Sequence, residues 1–217
     1  HAYGHGDYTP ERITEGLSEI YESSKISFKP WPSCRGTHPY IDMMIHIMKE
    51  NNISFDSIEK VHVVVSPLNE MLFNPPEVKY KPSSAINAKF SIPFTTGIAA
   101  KYGTVGLEHF TSEFFENKDI ISLASKISFE VNHGCKKTEA LHGRMTIVAN
   151  GKEYSHEVKN PKGSIENPMT NEEFKQKFIS CAKYARKPYS PMEAESIYNK
   201  LMIIEEINDM KEVIKLL

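Results

Sequence analysis

RMTIVANGKEYSHEV, residues 144–158, decides the fold. Two runs of strand-like sequence, 144–149 and 152–158, flank Asn150-Gly151, the pair that best fits a tight type I′ hairpin turn. Working outward, ISFEV (127–131) reads as a further strand, and VHVVV (61–65), dense in β-branched residues, as a buried one. Lys25 to Phe28 alternates and predicts a short strand. The block therefore holds about four or five strands.

Helical patterns surround it. Thr9-Pro10 predicts a helix start, with Ile13, Leu17, Ile20 and Tyr21 at helical spacing over 10–21. Thr37 is placed to cap a helix running to about Asn51, with Ile41, Met44, Ile45 and Met48 as its buried stripe. Residues 85–102 are helical, with a start or kink at Pro93. Two short helices are expected over 107–116 and 119–126. Residues 66–84 read as a long Pro/Asn-rich connection, a length that often carries function or covers a partner surface. Beyond Pro168 no strand pattern remains, and 171–187 and 190–217 are both helical. Leu201, Ile204, Ile207, Met210, Val213, Ile214 and Leu217 form an apolar stripe too long to leave bare in water. The predicted class is α+β, a small mixed sheet with helices packed on it.

Composition narrows the function. The chain has 217 residues, 40% hydrophobic and 25% charged, with a formal net charge of -2. Ordinary globular usage excludes wholesale disorder, and the charge balance argues against a nucleic-acid partner. No apolar run approaches a membrane span. Three scattered cysteines without CxxC spacing argue against a disulfide framework or a structural zinc site and point to a reducing, cytoplasmic compartment. His1 and His5 have HxxxH spacing, but Gly4 and Gly6 oppose the helix that a metal pair needs, so no metal site is expected. His46, His62, His109, His133, His142 and His156 read as surface or satisfied histidines. The dinucleotide, P-loop and nucleophile-elbow motifs are absent.

The densest concentration of chemistry is FKPWPSCRGTHPYID, 28–42. Lys29, Cys34, Arg35, Thr37 and His38 lie within ten residues, on backbone bounded by proline and glycine. Only four of 26 basic residues are arginine, and a guanidinium in a loop before a helix suits bidentate binding of a carboxylate. The helix N-terminus adds backbone donors. The plainer alternative makes Lys29 and Arg35 solvated loop charges, His38 a first-turn residue and Cys34 a small buried hydrophobe.

KPWPSCRGTHPYID resembles the start of the second domain of the MmgE/PrpD family, which includes 2-methylcitrate dehydratases, cis-aconitate decarboxylases and iminodisuccinate epimerases. INAKFSIPFTTGIAAKYGTVGLEHFT and NPKGSIENPMTNEEFKQKF resemble two later family segments, in the family's order, and GDYTPERITEGL fits the stretch before the lysine. The resemblance implies a lyase or isomerase acting on a small di- or tricarboxylate, independent of metal and with no cofactor. It also implies members about twice this length, a cytoplasmic homodimer, and an active site between the α+β domain and a larger helical domain. On that reading residues 1–25 end the helical domain, 26–160 form the α+β domain, and 161–217 return to the helical domain. Lys29 and His38 match the family's cleft-facing lysine and histidine, which makes them the catalytic candidates. Arg35, Cys34 and Phe94 are the substrate-binding candidates, Phe94 standing where some members place a tyrosine. The rival reading is a non-catalytic module that pairs with a separate helical partner.

Overall fold

The computed structural model describes Gly6 and residues 9–216. Its architecture is α+β, a four-stranded mixed sheet with helices packed on one face. In chain order the elements are α1 (His38–Glu50), β1 (Ile58–Val65), α2 (Pro76–Lys79), α3 (Ala85–Lys89), α4 (Ile92–Tyr102), α5 (Ser112–Phe115), α6 (Lys118–Ser125), β2 (Ile127–Val131), β3 (Gly143–Ala149), β4 (Lys152–Val158), α7 (Asn171–Ala182), α8 (Pro191–Leu201) and α9 (Lys211–Ile214).

The strands lie in the order β2-β1-β3-β4. The predicted hairpin is β3–β4, antiparallel, with Met145 opposite His156 and Ile147 opposite Tyr154. Its turn needs two left-handed residues, and Asn150 and Gly151 supply φ of 52° and 69°. β1 pairs antiparallel with β3 and parallel with β2. The parallel pairing requires a crossover, and residues 66–126 with helices α2–α6 provide it.

Strand periodicity sends Val61, Val63, Val65, Met145, Ile147 and Ala149 into the core. The opposite face is polar and carries His62, Ser128, Glu130, Arg144 and Thr146, which meet across strands. α1 packs on β3, β4 and α4, and α4 packs on α6. Tyr40, Ile41, Met43, Met44 and Ile47 of α1 are buried, each contributing roughly 1.5–3 kcal/mol relative to exposure. The predicted stripe was rotated: Ile45 and Met48 are only half-buried, while Tyr40, Met43 and Ile47 face inward. The Tyr40 hydroxyl donates to the Val64 carbonyl at 3.0 Å, satisfying the one polar atom that this face brings in.

Several expectations are corrected. Residues 10–21 form a 3-10 turn, Pro10–Ile13, followed by turns in which Gly16 and Ser18 take positive φ. Ile13, Leu17, Ile20 and Tyr21 are all exposed, so nothing stabilises an amphipathic helix there. Lys25 to Phe28 is not a strand. Glu22–Lys25 is a 3-10 turn, and Phe28 N–H donates to the Gly163 carbonyl at 2.8 Å without joining the sheet. The 66–84 connection is organised by a 3-10 turn, Pro67–Leu72, and by α2. Pro93 sits in the first turn of α4, as expected, behind the cap formed when Phe94 N–H donates to Ser91 Oγ. Over 190–216 the single helix becomes α8, a 3-10 turn and α9. Of its stripe only Val213 is buried, and Ile204, Met210 and Ile214 are exposed. Leu217 lies outside the described residues, as do His1 and His5.

Candidate functional site

Pro30 and Pro32 stiffen the approach to α1. Between them Trp31 turns inward and is 8% exposed. The Cys34 N–H donates to the Lys89 carbonyl at 2.8 Å, tying the turn to α3. Thr37 does not cap α1. Its hydroxyl donates to the Cys34 carbonyl at 2.8 Å. One hydroxyl has one proton, so in the 2.7 Å contact between Ser33 and Thr37 the serine donates.

This buried lattice presents Arg35 and His38. The Arg35 Nη1 group donates to the Lys162 carbonyl at 2.8 Å and lies 3.1 Å from His38 Nδ1, and Nη2 donates to the Pro161 carbonyl at 3.3 Å. A guanidinium has no acceptor, so Nδ1 must accept and the imidazole proton resides on Nε2. The ring is fully buried. Burial first, then the Arg35 charge, push its pKa from 6.5 down to about 3; Lys29 and Lys177 act in the same direction, and a hydrogen bond to the Ser33 backbone opposes them. His38 is therefore neutral at physiological pH, with a fixed tautomer.

Among the described residues neither its Nε2 nor Arg35 Nε, both buried, has a partner at full hydrogen-bond geometry, and the bond from the ring to the Ser33 backbone falls short of it. Leaving such a donor unmet costs about 1–3 kcal/mol. Orphans of this kind mark sites where the chain keeps a polar group for something other than its own stability. A neutral imidazole N–H is suited to polarising a carbonyl or carboxylate oxygen as negative charge builds there.

The surroundings come from distant sequence. Asp42 Oδ2 accepts from the Lys162 N–H at 3.0 Å, so one turn of α1 joins Arg35 in fixing the 161–163 segment. Burial raises the Asp42 pKa. α7 begins at Thr170 with a capping box closed by Glu173, which also pairs with Lys162 at 3.0 Å. Phe174 meets Phe28 edge-on at 4.8 Å. A cavity of about 430 Å³ lies between the turn and α7, lined by Pro30, Trp31, Val105, Lys162, Gln176 and Lys177.

The expected residues fall into different places. Lys29 is exposed, and its Nζ donates to the Ser33 carbonyl at 3.2 Å, folding the side chain back on its own turn just outside this cavity. Cys34 is half-buried and packs on the core. Phe94 is fully buried in α4, 5.9 Å from the Phe115 ring, and is a core residue here. Arg35 and His38 come together as one unit. Asp42, Trp31, Lys162 and Lys177 were missed as site residues. Asp42 stands in the quoted motif, and Lys162 and Lys177 in the later family segment, so the signal was present as sequence but its convergence depended on the fold. Lys79 was also missed. It is 8% exposed, with its amine pushed down by burial beside Cys34.

A second, polar cavity of about 540 Å³ lies where β1 and β2 end and β3 begins, lined among others by His133, Cys135, Glu139, His142 and Arg144. Elsewhere the His46 and His156 rings lie 4.2 Å apart between α1 and β4. Among the described residues no three His, Cys, Asp or Glu side chains are grouped to hold a metal ion. No helix among them is long and apolar enough to cross a membrane.

No curated protein matches the chain. The family model for the MmgE/PrpD C-terminal domain matches residues 31–198, from the buried Trp31 through α7 and most of α8. That span is well over half of the sequence and contains every element described around His38, and so the chain belongs to the MmgE/PrpD family, through its C-terminal domain.

Proposed function

We propose that this chain supplies one wall of the active site of a metal-independent MmgE/PrpD-type lyase or isomerase, resembling 2-methylcitrate dehydratase and acting on a small di- or tricarboxylate. The observation that carries the reading is the buried, neutral His38 whose Nε2–H has no fully formed hydrogen bond among the described residues. Dehydration, decarboxylation and epimerisation of polycarboxylates all build negative charge beside a carboxylate while a proton moves. His38 donates to that charge. Lys29 anchors a carboxylate or delivers a proton. Arg35 is a positioning residue in this scheme, since its Nη groups are occupied by the Pro161 and Lys162 carbonyls and by His38. A helical domain, as the family resemblance implies, supplies the facing wall and the remaining acid–base groups. The setting is a cytoplasmic homodimer.

The exposed apolar side chains at both ends, Leu17 and Ile20 on one and Met192, Ile203 and Ile214 on the other, support a surface that another helical body covers. They also favour the second reading, an assembly module without turnover. Steady-state assays on 2-methylcitrate, cis-aconitate and aspartate-derived dicarboxylates separate the two. Lys29→Ala is expected to lower kcat/KM by about 100-fold or more, the range of a positioned acid–base or anchoring group. Turnover within about twofold of wild type, ~0.4 kcal/mol, would remove Lys29 from the mechanism.

A further inference from the structure

His38 poses a problem of access. Its N–H is reserved, yet the side chain is wholly buried, and no substrate oxygen reaches it as the molecule stands. What covers the turn on this side is Trp31, whose indole lies edge-on to the imidazole at 5.2 Å between ring centres. Trp31 also lines the cavity of about 430 Å³ on its outer side, a volume larger than an indole occupies. The same side chain thus touches the buried donor behind it and an empty space in front of it.

The helix beyond the cover is lightly held. α7, which forms the far side of the cavity, has no buried residue of its own. It is fastened near this point by the Phe28–Phe174 contact and the Lys162–Glu173 ion pair. The parts beneath are rigid by contrast, with Ser33, Thr37 and Arg35 locked by the hydrogen bonds described above. Motion is therefore easiest at the helix beyond the indole, which leaves the indole room to follow, and hardest at the hydrogen-bonded turn beneath it.

We propose that Trp31 is a gate: its indole swings into the cavity beside α7 and opens His38 Nε2–H to a substrate oxygen. The gate's use in turnover rests on the function proposed above, but its existence does not.

Hydrogen exchange at the imidazole C2 position, read residue by residue by mass spectrometry, tests the gate without a ligand. His109, 4% exposed and stacked on Tyr102, is the internal reference for a buried histidine that Trp31 does not cover. In the wild-type protein His38 is expected to exchange through local opening, at a rate insensitive to urea below the unfolding transition. In Trp31→Ala its exchange is expected to rise about tenfold while that of His109 stays unchanged. A wild-type His38 rate that climbs with urea in step with global unfolding would overturn the gate, and so would a folded Trp31→Ala protein with an unaltered rate. If Trp31→Ala does not fold, the urea dependence of the wild type still decides. Trp31 is the chain's single tryptophan, so its acrylamide quenching reports the same opening directly. A negative result would leave His38 without access to substrate, while the role proposed for Lys29 is read separately by the turnover assay.

Discussion

The turn at 29–38 and the loop at 132–142 look alike in sequence, each with a cysteine, histidine and basic residues in about ten positions, and the fold treats them in opposite ways. The loop borders the larger cavity, about 540 Å³, yet it holds none of the buried unpartnered polar atoms found among the described residues. Cys135 Sγ donates to the Glu139 carbonyl at 3.3 Å, the Lys136 N–H donates to Glu139 Oε2 at 3.0 Å, and the Gly134 N–H to Asn132 Oδ1 at 3.0 Å. The turn borders less space but holds two of the three buried polar atoms left without partners among the described residues, Arg35 Nε and His38 Nε2. Hollow volume records where the surface is irregular. An unmet donor in a sealed and otherwise satisfied network records a cost the chain bears in its folded state, and this is the better guide to chemistry.

The largest expected effect separates the two regions by activity. In the assay that reads the loss of about 100-fold or more for Lys29→Ala, Cys135→Ser and His142→Asn are expected to stay within about twofold of wild type. A loop variant as damaging as the turn variant would reverse the contrast and move the site to the strand ends.

The next effect is on packing and needs no substrate. A Cβ added at Gly36 would fall 2.3 Å from Asn69 Oδ1 and 2.8 Å from Leu72 Cδ1. Asn69 is itself fixed, donating through Nδ2 to the Ala140 carbonyl at 2.8 Å. Gly36→Ala is therefore expected to destabilise by about 1–3 kcal/mol, the usual cost of overpacking. At Gly134 the nearest atom to an added Cβ is Asn132 Oδ1 at 3.3 Å, and Gly134→Ala is expected to change stability by less than about 0.5 kcal/mol. Urea unfolding of the two variants measures both. Equal effects would show the turn to be no more tightly built than the loop.

How much of this was legible beforehand follows from the range of the forces involved. The β3–β4 hairpin could be read because its turn is local, two residues that tolerate positive φ between two runs of strand-like sequence. α1 was readable in extent and in part of its face, Ile41 and Met44, but not in all of it, because which of Ile45 or Ile47 turns fully inward depends on what lies opposite. The terminal segments failed for the same reason. Ile13, Leu17 and Ile20 have helical spacing, but nothing in this chain receives them, and periodicity without a partner does not make a helix. At the site, Arg35 and His38 were visible as neighbours in sequence. Their joint arrangement was not, since it depends on carbonyls of Pro161 and Lys162, more than 120 positions away. The guanidinium that suggested a carboxylate ligand is spent on those carbonyls.

The finest test of the contrast is the proton itself. His38 has a pKa of about 3 in the folded chain and 6.5 as its ordinary value, lowered by burial first and by Arg35 second. Between those limits the unfolded chain binds the proton more tightly, so acid favours unfolding. The stabilisation from keeping His38 neutral is complete above about pH 6.5 and is lost progressively as pH falls toward 3, with a limiting slope of about 1.4 kcal/mol per pH unit for one proton. Other groups tilt the same curve. His156 and His109 are shifted down and add to the slope, whereas Asp42 is shifted up by burial and opposes it. The His38 share is therefore the difference between wild type and His38→Gln, with urea unfolding measured at intervals from pH 7 to pH 4. The wild-type curve should fall more steeply by up to that slope, and the two should run parallel above pH 7. Parallel curves throughout would mean that the folded ring takes up its proton as freely as the unfolded one. Water or an anion would then already reach Nε2, and the turn would differ from the loop in sequence alone.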